Sequence, residues 1–222
     1  LILALASLIF SCVFHECAHV WVALKMGDTT GRDLGRLTLN PAPHIDLFWT
    51  VLLPIFSFFT AGFAFGGPKP APVNTHNMRD PAFGGVLSAL AGPGSNLLLA
   101  ALGVSLHWLL YTLSPGLVPP DSANACFFVI FLYTNVLLAV ANLIPIPPLD
   151  GSRFLHYMIG RPMDPIMNYV ERSGWITALP ILFAFQVILP RIYQPFDALA
   201  EQLLASLFDG KYVDKLFETY RG

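Results

Sequence analysis

The residues from Leu1 to Met26 form one apolar run, long enough to cross a bilayer as a helix, and it carries the pentapeptide His15-Glu16-Cys17-Ala18-His19. On a helix, positions 15 and 19 lie about one turn apart on one face. Both imidazoles can then reach a single Zn²⁺ while Glu16 stands beside the metal's open position. The flanks, Leu8 to Phe14 and Val20 to Leu24, lack the polar face that such a helix has in a soluble enzyme. Ionisable groups at membrane depth are costly and mark function by default. The plainer alternative is a pair of core histidines bonded to neighbouring helices.

The rest of the chain agrees with a membrane setting. It is 55% hydrophobic and only 12% charged, with a mean hydropathy of +0.62, which places it among all-α polytopic membrane proteins. A net charge of −2 offers no basic face, so nucleic acid is excluded as a partner. Cys12, Cys17 and Cys126 lie in apolar segments and read as small buried hydrophobes rather than a disulfide framework. The first run starts without Met and continues straight into the His pair, so it does not read as a cleavable signal peptide.

Four stretches read as membrane helices: about Leu1 to Met26, Pro81 to Leu113, Ala125 to Ile146, and Gly174 to Leu189. A fifth, Phe48 to Phe65, contains Pro54 and Gly62 and runs into Gly66-Gly67-Pro68-Lys69-Pro70-Ala71-Pro72, which is unfit for a continuous helix. Polar connections fall at 27–47, 67–80, 114–124 and 151–173. Lys25 ends the first span, and Arg32, Arg36, Lys69, Arg79, Arg153, Arg161 and Arg172 lie in the connections other than 114–124, which the positive-inside rule therefore places outside. With both its flanks cytoplasmic, Phe48 to Phe65 is expected to enter the bilayer and return; the alternative, a plain transmembrane helix, would put Lys69 and Arg79 outside and reverse every later element. The expected fold has about five membrane segments, one of them re-entrant and partly β beside the active site. Residues 1–190 form the membrane-embedded core. Residues 191–222 form an amphipathic helix, with Phe196, Leu199, Leu203, Leu207 and Phe208 at helical spacing, that fits either an interfacial helix or a last packing helix, and a polar, marginally ordered tail.

A catalytic zinc needs a third protein ligand and an open fourth position. Asp150 is the candidate, in Asn142-Leu143-Ile144-Pro145-Ile146-Pro147-Pro148-Leu149-Asp150-Gly151. The prolines break the helix, Gly151 permits a turn closed to other residues, and the carboxylate is expected on a rigid, non-helical shelf at the depth of the His pair. The competing reading makes Asp150 the N-cap of a helix starting near Ser152.

Three motifs occur here in order: His15 to His19, Ala91-Gly92-Pro93-Gly94-Ser95-Asn96, and Asn142 to Gly151. Together they resemble the site-2 proteases, intramembrane zinc metalloproteases, in a compact form without PDZ or CBS domains. The resemblance implies one Zn²⁺ per chain held by His15, His19 and Asp150, with Glu16 as catalytic base. It also implies an Asn142 placed to hold the substrate backbone and a proline-rich, strand-like element over 66–74. Asn96 is a further candidate substrate contact, although Gly92 and Gly94 favour a helix-packing role for it.

The function that follows is hydrolysis of peptide bonds in transmembrane or membrane-associated proteins, in regulated intramembrane proteolysis. The bilayer is a partner and the setting is a bacterial inner or plasma membrane, with the site toward the cytoplasm. A substrate helix must be unwound before its carbonyls can be reached, and the Phe63 to Asn74 edge, with Val73 and Asn74, could hold it by β-augmentation. The rivals are a metal transporter using the His/Asp site and a catalytically silent homologue. His44 reads as a loop histidine in water, and His76, His107 and His156 receive no role.

Overall fold

A computed structural model describes residues 1–61, 66–146, 149–163, 165 and 195–221. Among them the chain is all-helical, with no strand. Three helices are long and apolar enough to cross a membrane: α1 (Ile2–Met26), α4 (Pro81–Leu113) and α5 (Ala123–Leu143). The shorter elements are α2 (Thr30–Asp33), α3 (Leu53–Ala61), α6 (Asp150–Ile159), α7 (195–207) and α8 (Gly210–Arg221). The span expected over Gly174 to Leu189 lies outside the described residues.

Each long helix is bounded by local chemistry. α1 stops at Gly27, whose φ of 113° is open to glycine at little cost. The turn is closed by the Asp28 N–H donating to the Ala23 carbonyl at 2.9 Å. α4 starts at Pro81 behind Asp80, whose carboxylate caps the Phe83 N–H at 3.0 Å. At 33 residues it is about 50 Å long, well beyond the ~30 Å of hydrocarbon. α5 begins two residues earlier than the expected Ala125, because Ser122 caps Ala125 N–H. It ends at Leu143 rather than Ile146, since Ile144 precedes Pro145 and is extended.

α4 is the central helix, packed against α1, α5 and α6. The Arg79 N–H bonds the Met26 carbonyl at 2.9 Å, so α4 starts where α1 ends and the two run antiparallel. Small residues on α4 set the close approach: a Cβ on Gly85 would lie 2.7 Å from the Tyr157 ring of α6, and one on Gly103 would lie 2.8 Å from the Phe131 ring of α5.

The stretch read as re-entrant opens with a π-helical turn, Leu47–Leu52, capped by Asp46, and continues as α3. Its two ends lie side by side: Gly67 N–H donates to the Trp49 carbonyl at 3.1 Å, and Thr50 Oγ1 donates to the Gly67 carbonyl at 2.8 Å. The strand-like element expected next is not a paired strand among the described residues. Pro68, Pro70 and Pro72 leave one edge without amide hydrogens, and on the other edge the amides of Lys69 and Ala71 are taken by the His44 carbonyl and Glu16.

The tail also departs from expectation. Gly210–Arg221 is a helix with Val213, Leu216 and Phe217 buried, not a loose end. On α7 Ala200 and Leu204 are buried, as is Phe208 just past its end, and Phe196 packs on the same core, while Leu199, Leu203 and Leu207 are exposed, so the leucines of the apolar spacing mark the outward face. Both helices pack on α4 and α5 through Tyr133, His107 and the loop at Val118. Arg221 closes the hairpin against Asp197 and Glu201 at 2.8 and 2.7 Å.

Candidate metal centre and catalytic site

Three donor atoms converge where α1, α4 and α6 meet. His15 Nε2 lies 3.0 Å from Asp150 Oδ2, His19 Nε2 lies 3.2 Å from the same oxygen, and the two Nε2 atoms are 3.0 Å apart. Ligands bound at about 2.0–2.2 Å in a tetrahedron would be about 3.3–3.6 Å apart, so the triangle need open by only a few tenths of an ångström to hold one Zn²⁺ with a fourth vertex to spare. All three side chains are buried, at 2%, 5% and 8% exposure.

The hydrogen bonds behind the triangle fix which atoms carry protons. His19 Nδ1 lies 2.6 Å from the Ser88 carbonyl, which can only accept, so Nδ1 carries a proton and Nε2 is the nitrogen available to a metal. For His15 the same result follows through a relay. The Phe131 carbonyl accepts from Asn135 Nδ2 at 2.9 Å, so Asn135 Oδ1 accepts from Asn96 Nδ2 at 3.0 Å, and Asn96 Oδ1 accepts the His15 Nδ1 proton at 2.5 Å. With both Nδ1 atoms committed to these acceptors, the two Nε2 atoms and a carboxylate oxygen are the atoms that face one another. That is the donor set a divalent cation satisfies.

Gly92 makes room for it. A Cβ there would lie 2.3 Å from His19 Nε2 and 2.5 Å from His15 Nε2, so any side chain would fill the space between the donors. In sequence Gly92 read only as a packing residue, and its position in an apolar span one residue before Pro93 was the available signal.

Asp150 is not on a non-helical shelf. It is the first residue of α6, and Leu149 is the N-cap with no side-chain cap bond, so the capping role is not realised either. Its carboxylate sits at the positive end of the helix dipole and points at the His pair. Gly151 has no positive φ; its contribution is close approach, since a Cβ would lie 2.4 Å from the Leu143 carbonyl at the end of α5.

Glu16 is 4% exposed, and its Oε2 accepts the Ala71 N–H at 2.5 Å. Asn96, considered as a substrate contact, is fully buried with both ends of its amide engaged, which leaves it a part in orienting His15. Replacing Asn96 by Leu is expected to weaken zinc binding about 10- to 100-fold while the helices persist, measured by competition with a chromogenic chelator. Asn142 bonds within its own helix, Nδ2 to the Leu138 carbonyl at 2.9 Å.

Asn74 is tied down at its backbone, where its N–H meets Asp28 Oδ2 at 2.7 Å. Burial works against the charged form of Asp28, yet the hydroxyl of Thr30, the amides of Asn74 and Thr30 and the side chain of Asn77 together hold its carboxyl below the usual range. Val73 N–H has no partner among the described residues. His44 is not in water but 1% exposed, because the turn Ala42–His44 folds its ring inward, with Nε2 on the Thr38 carbonyl at 2.9 Å and Cys17 Sγ at 4.0 Å. His107 is a packing residue, stacked on Phe128 and bonded to Tyr212.

Residues 119–185 match the model of peptidase family M50. The candidate zinc metalloprotease YwhC of Bacillus subtilis is 39% identical over 178 residues, covering 80% of this chain and 78% of the relative. The candidate zinc metalloprotease Rip2 of Mycolicibacterium smegmatis is 33% identical over 184 residues, covering 82% and 66%. The Mycobacterium tuberculosis protein of the same name is 31% identical over 150 residues, covering 68% and 54%. No solved structure matches.

Proposed function

Because the chain belongs to peptidase family M50, the site-2 protease family, we propose that His15, His19 and Asp150 hold its one catalytic Zn²⁺ and that Glu16 is the base. The protein is an intramembrane zinc metalloprotease. The observation that carries the residue assignment is the convergence of two histidine Nε2 atoms and a carboxylate oxygen within 3.2 Å.

When bound, Zn²⁺ lowers the pKa of a water toward ~7 and polarises the scissile carbonyl. Asn96 and the Ser88 carbonyl keep the Nδ1 protons of His15 and His19 away from the metal side. Glu16 takes a proton from the attacking water and delivers it to the leaving amide nitrogen. His15, Glu16, His19 and Asp150 are all buried, which keeps the reacting groups away from bulk water.

The substrate is a transmembrane or membrane-associated segment, locally unwound. Residues 68–72 cannot serve as a full strand edge, since their only two amides, on Lys69 and Ala71, are bonded to the His44 carbonyl and to Glu16. Val73 N–H and the segment's carbonyls are what a substrate backbone can meet, with Asn142 Oδ1 as a further acceptor. Replacing Val73 by Pro is expected to reduce turnover about 10-fold with zinc unchanged. Equal turnover in a peptide assay would remove Val73 from the substrate path.

Lys25, Arg32, Arg36, Lys69 and Arg79 gather at the end of the bundle where α1 ends and α4 begins, which supports a site toward the cytoplasm of a bacterial plasma membrane. The paired ends at Trp49 and Gly67 support a re-entrant segment among about five. Residues 1–190 make the proteolytic core, and 191–222 add the helical hairpin. The transporter reading has no support, and the complete donor set argues against a silent homologue. Mapping the cut in a synthetic single-span peptide, co-reconstituted with zinc-loaded protein, tests the function: a bond cleaved within the span toward the cytoplasmic face is expected, and an intact span would overturn it.

A further inference from the structure

Arg36 is buried, at 7% exposure, yet among the described residues no carboxylate faces it and its Nε has no partner. A guanidinium in that position is costly unless something depends on it. Its one side-chain bond runs from Nη2 to the Lys69 carbonyl at 2.5 Å. The Lys69 N–H is held at 2.9 Å by the His44 carbonyl, so residue 69 is gripped on both sides of its backbone. Two residues on, the Ala71 N–H reaches Glu16 Oε2. The intervening chain is stiff, because Pro68, Pro70 and Pro72 fix their φ angles. Gly31 lets this segment lie against α1: a Cβ there would meet Val20 at 2.8 Å and the Pro72 carbonyl at 3.2 Å.

We propose that Arg36 is a positioning residue for peptide hydrolysis: by clamping the Lys69 carbonyl it sets the proline-rich segment so that Ala71 N–H anchors Oε2 of Glu16 and leaves Oε1 to receive the proton. The inference rests on Glu16 being the base. A glutamate side chain has three rotatable bonds, and a displacement of about 1 Å at a reacting group costs on the order of 100-fold in rate. The anchor removes that freedom with a backbone donor, and Arg36 fixes the donor.

The test compares Arg36→Met, Arg36→Lys, Ala71→Pro and Glu16→Gln in the full chain, reconstituted with zinc, with kcat and KM measured separately on the synthetic peptide. Arg36→Met is expected to keep its zinc and a KM within about twofold while kcat falls about 10- to 100-fold. Arg36→Lys, which still offers a donor to the carbonyl, is expected to recover most of that loss, and Ala71→Pro, which deletes the anchoring N–H, is expected to match Arg36→Met. Wild-type kcat in Arg36→Met, or a loss carried by KM alone, overturns the proposal. Should Arg36→Met lose zinc or fail to fold, Ala71→Pro decides, and wild-type kcat there overturns it. Full activity in Glu16→Gln would instead remove the base assignment itself, which keeps the two failures apart.

Discussion

Glu16→Gln is expected to bind zinc like the wild type and to cleave about 10²- to 10⁴-fold more slowly, the range a positioned proton-transfer group supplies. The side chain is not among the three converging donors, so its loss leaves the ligand triangle untouched. The amide keeps an oxygen for the Ala71 N–H and is nearly isosteric, so the segment at 68–72 has no reason to move. What it lacks is a basic oxygen for the water's proton. Zinc content by elemental analysis and cleavage of a synthetic single-span peptide are both needed, because a fall in both would mean that the site had collapsed. Full cleavage would assign the base elsewhere.

Asp150→Ala is expected to have the opposite signature, with zinc affinity falling by more than about 100-fold and cleavage falling with it. The carboxylate is the one anionic donor, and its Oδ2 bridges both histidine nitrogens at 3.0 and 3.2 Å. Without it, two neutral imidazoles remain, and a divalent ion loses both a ligand and the charge that balances it. α6 should survive, because its N-cap is Leu149 and Asp150 makes no capping bond. Circular dichroism with unchanged helix content, beside absent zinc, is the expected pairing. Retention of stoichiometric zinc would remove Asp150 from the ligand set.

What the sequence made legible was local. The apolar runs and the spacing of His15, Glu16 and His19 need no knowledge of tertiary structure, since helical geometry alone puts 15 and 19 on one face. The choice of Asp150 followed from the breaks around it, although its surroundings differ: the chain resumes a helix at Asp150 itself, and Gly151 serves close packing rather than a turn. Asn96 and Gly92 were harder to read. Their parts depend on how α4 lies against α1, a register set between residues about eighty apart in sequence, and only that register brings Asn96 to His15 Nδ1 and leaves Gly92 facing both Nε2 atoms. The same holds for His44, whose burial beneath the 38–44 loop has no signature in the sequence, and for α7, where in a bilayer an apolar stripe can face lipid as readily as protein.

Zinc stoichiometry measured together with peptide cleavage, before and after dialysis against a chelator and after zinc is restored, tests the central claim most directly. One zinc per chain is expected in the wild type, lost together with cleavage on chelation and recovered together with it. Undiminished cleavage by protein from which all zinc has been removed would contradict the account.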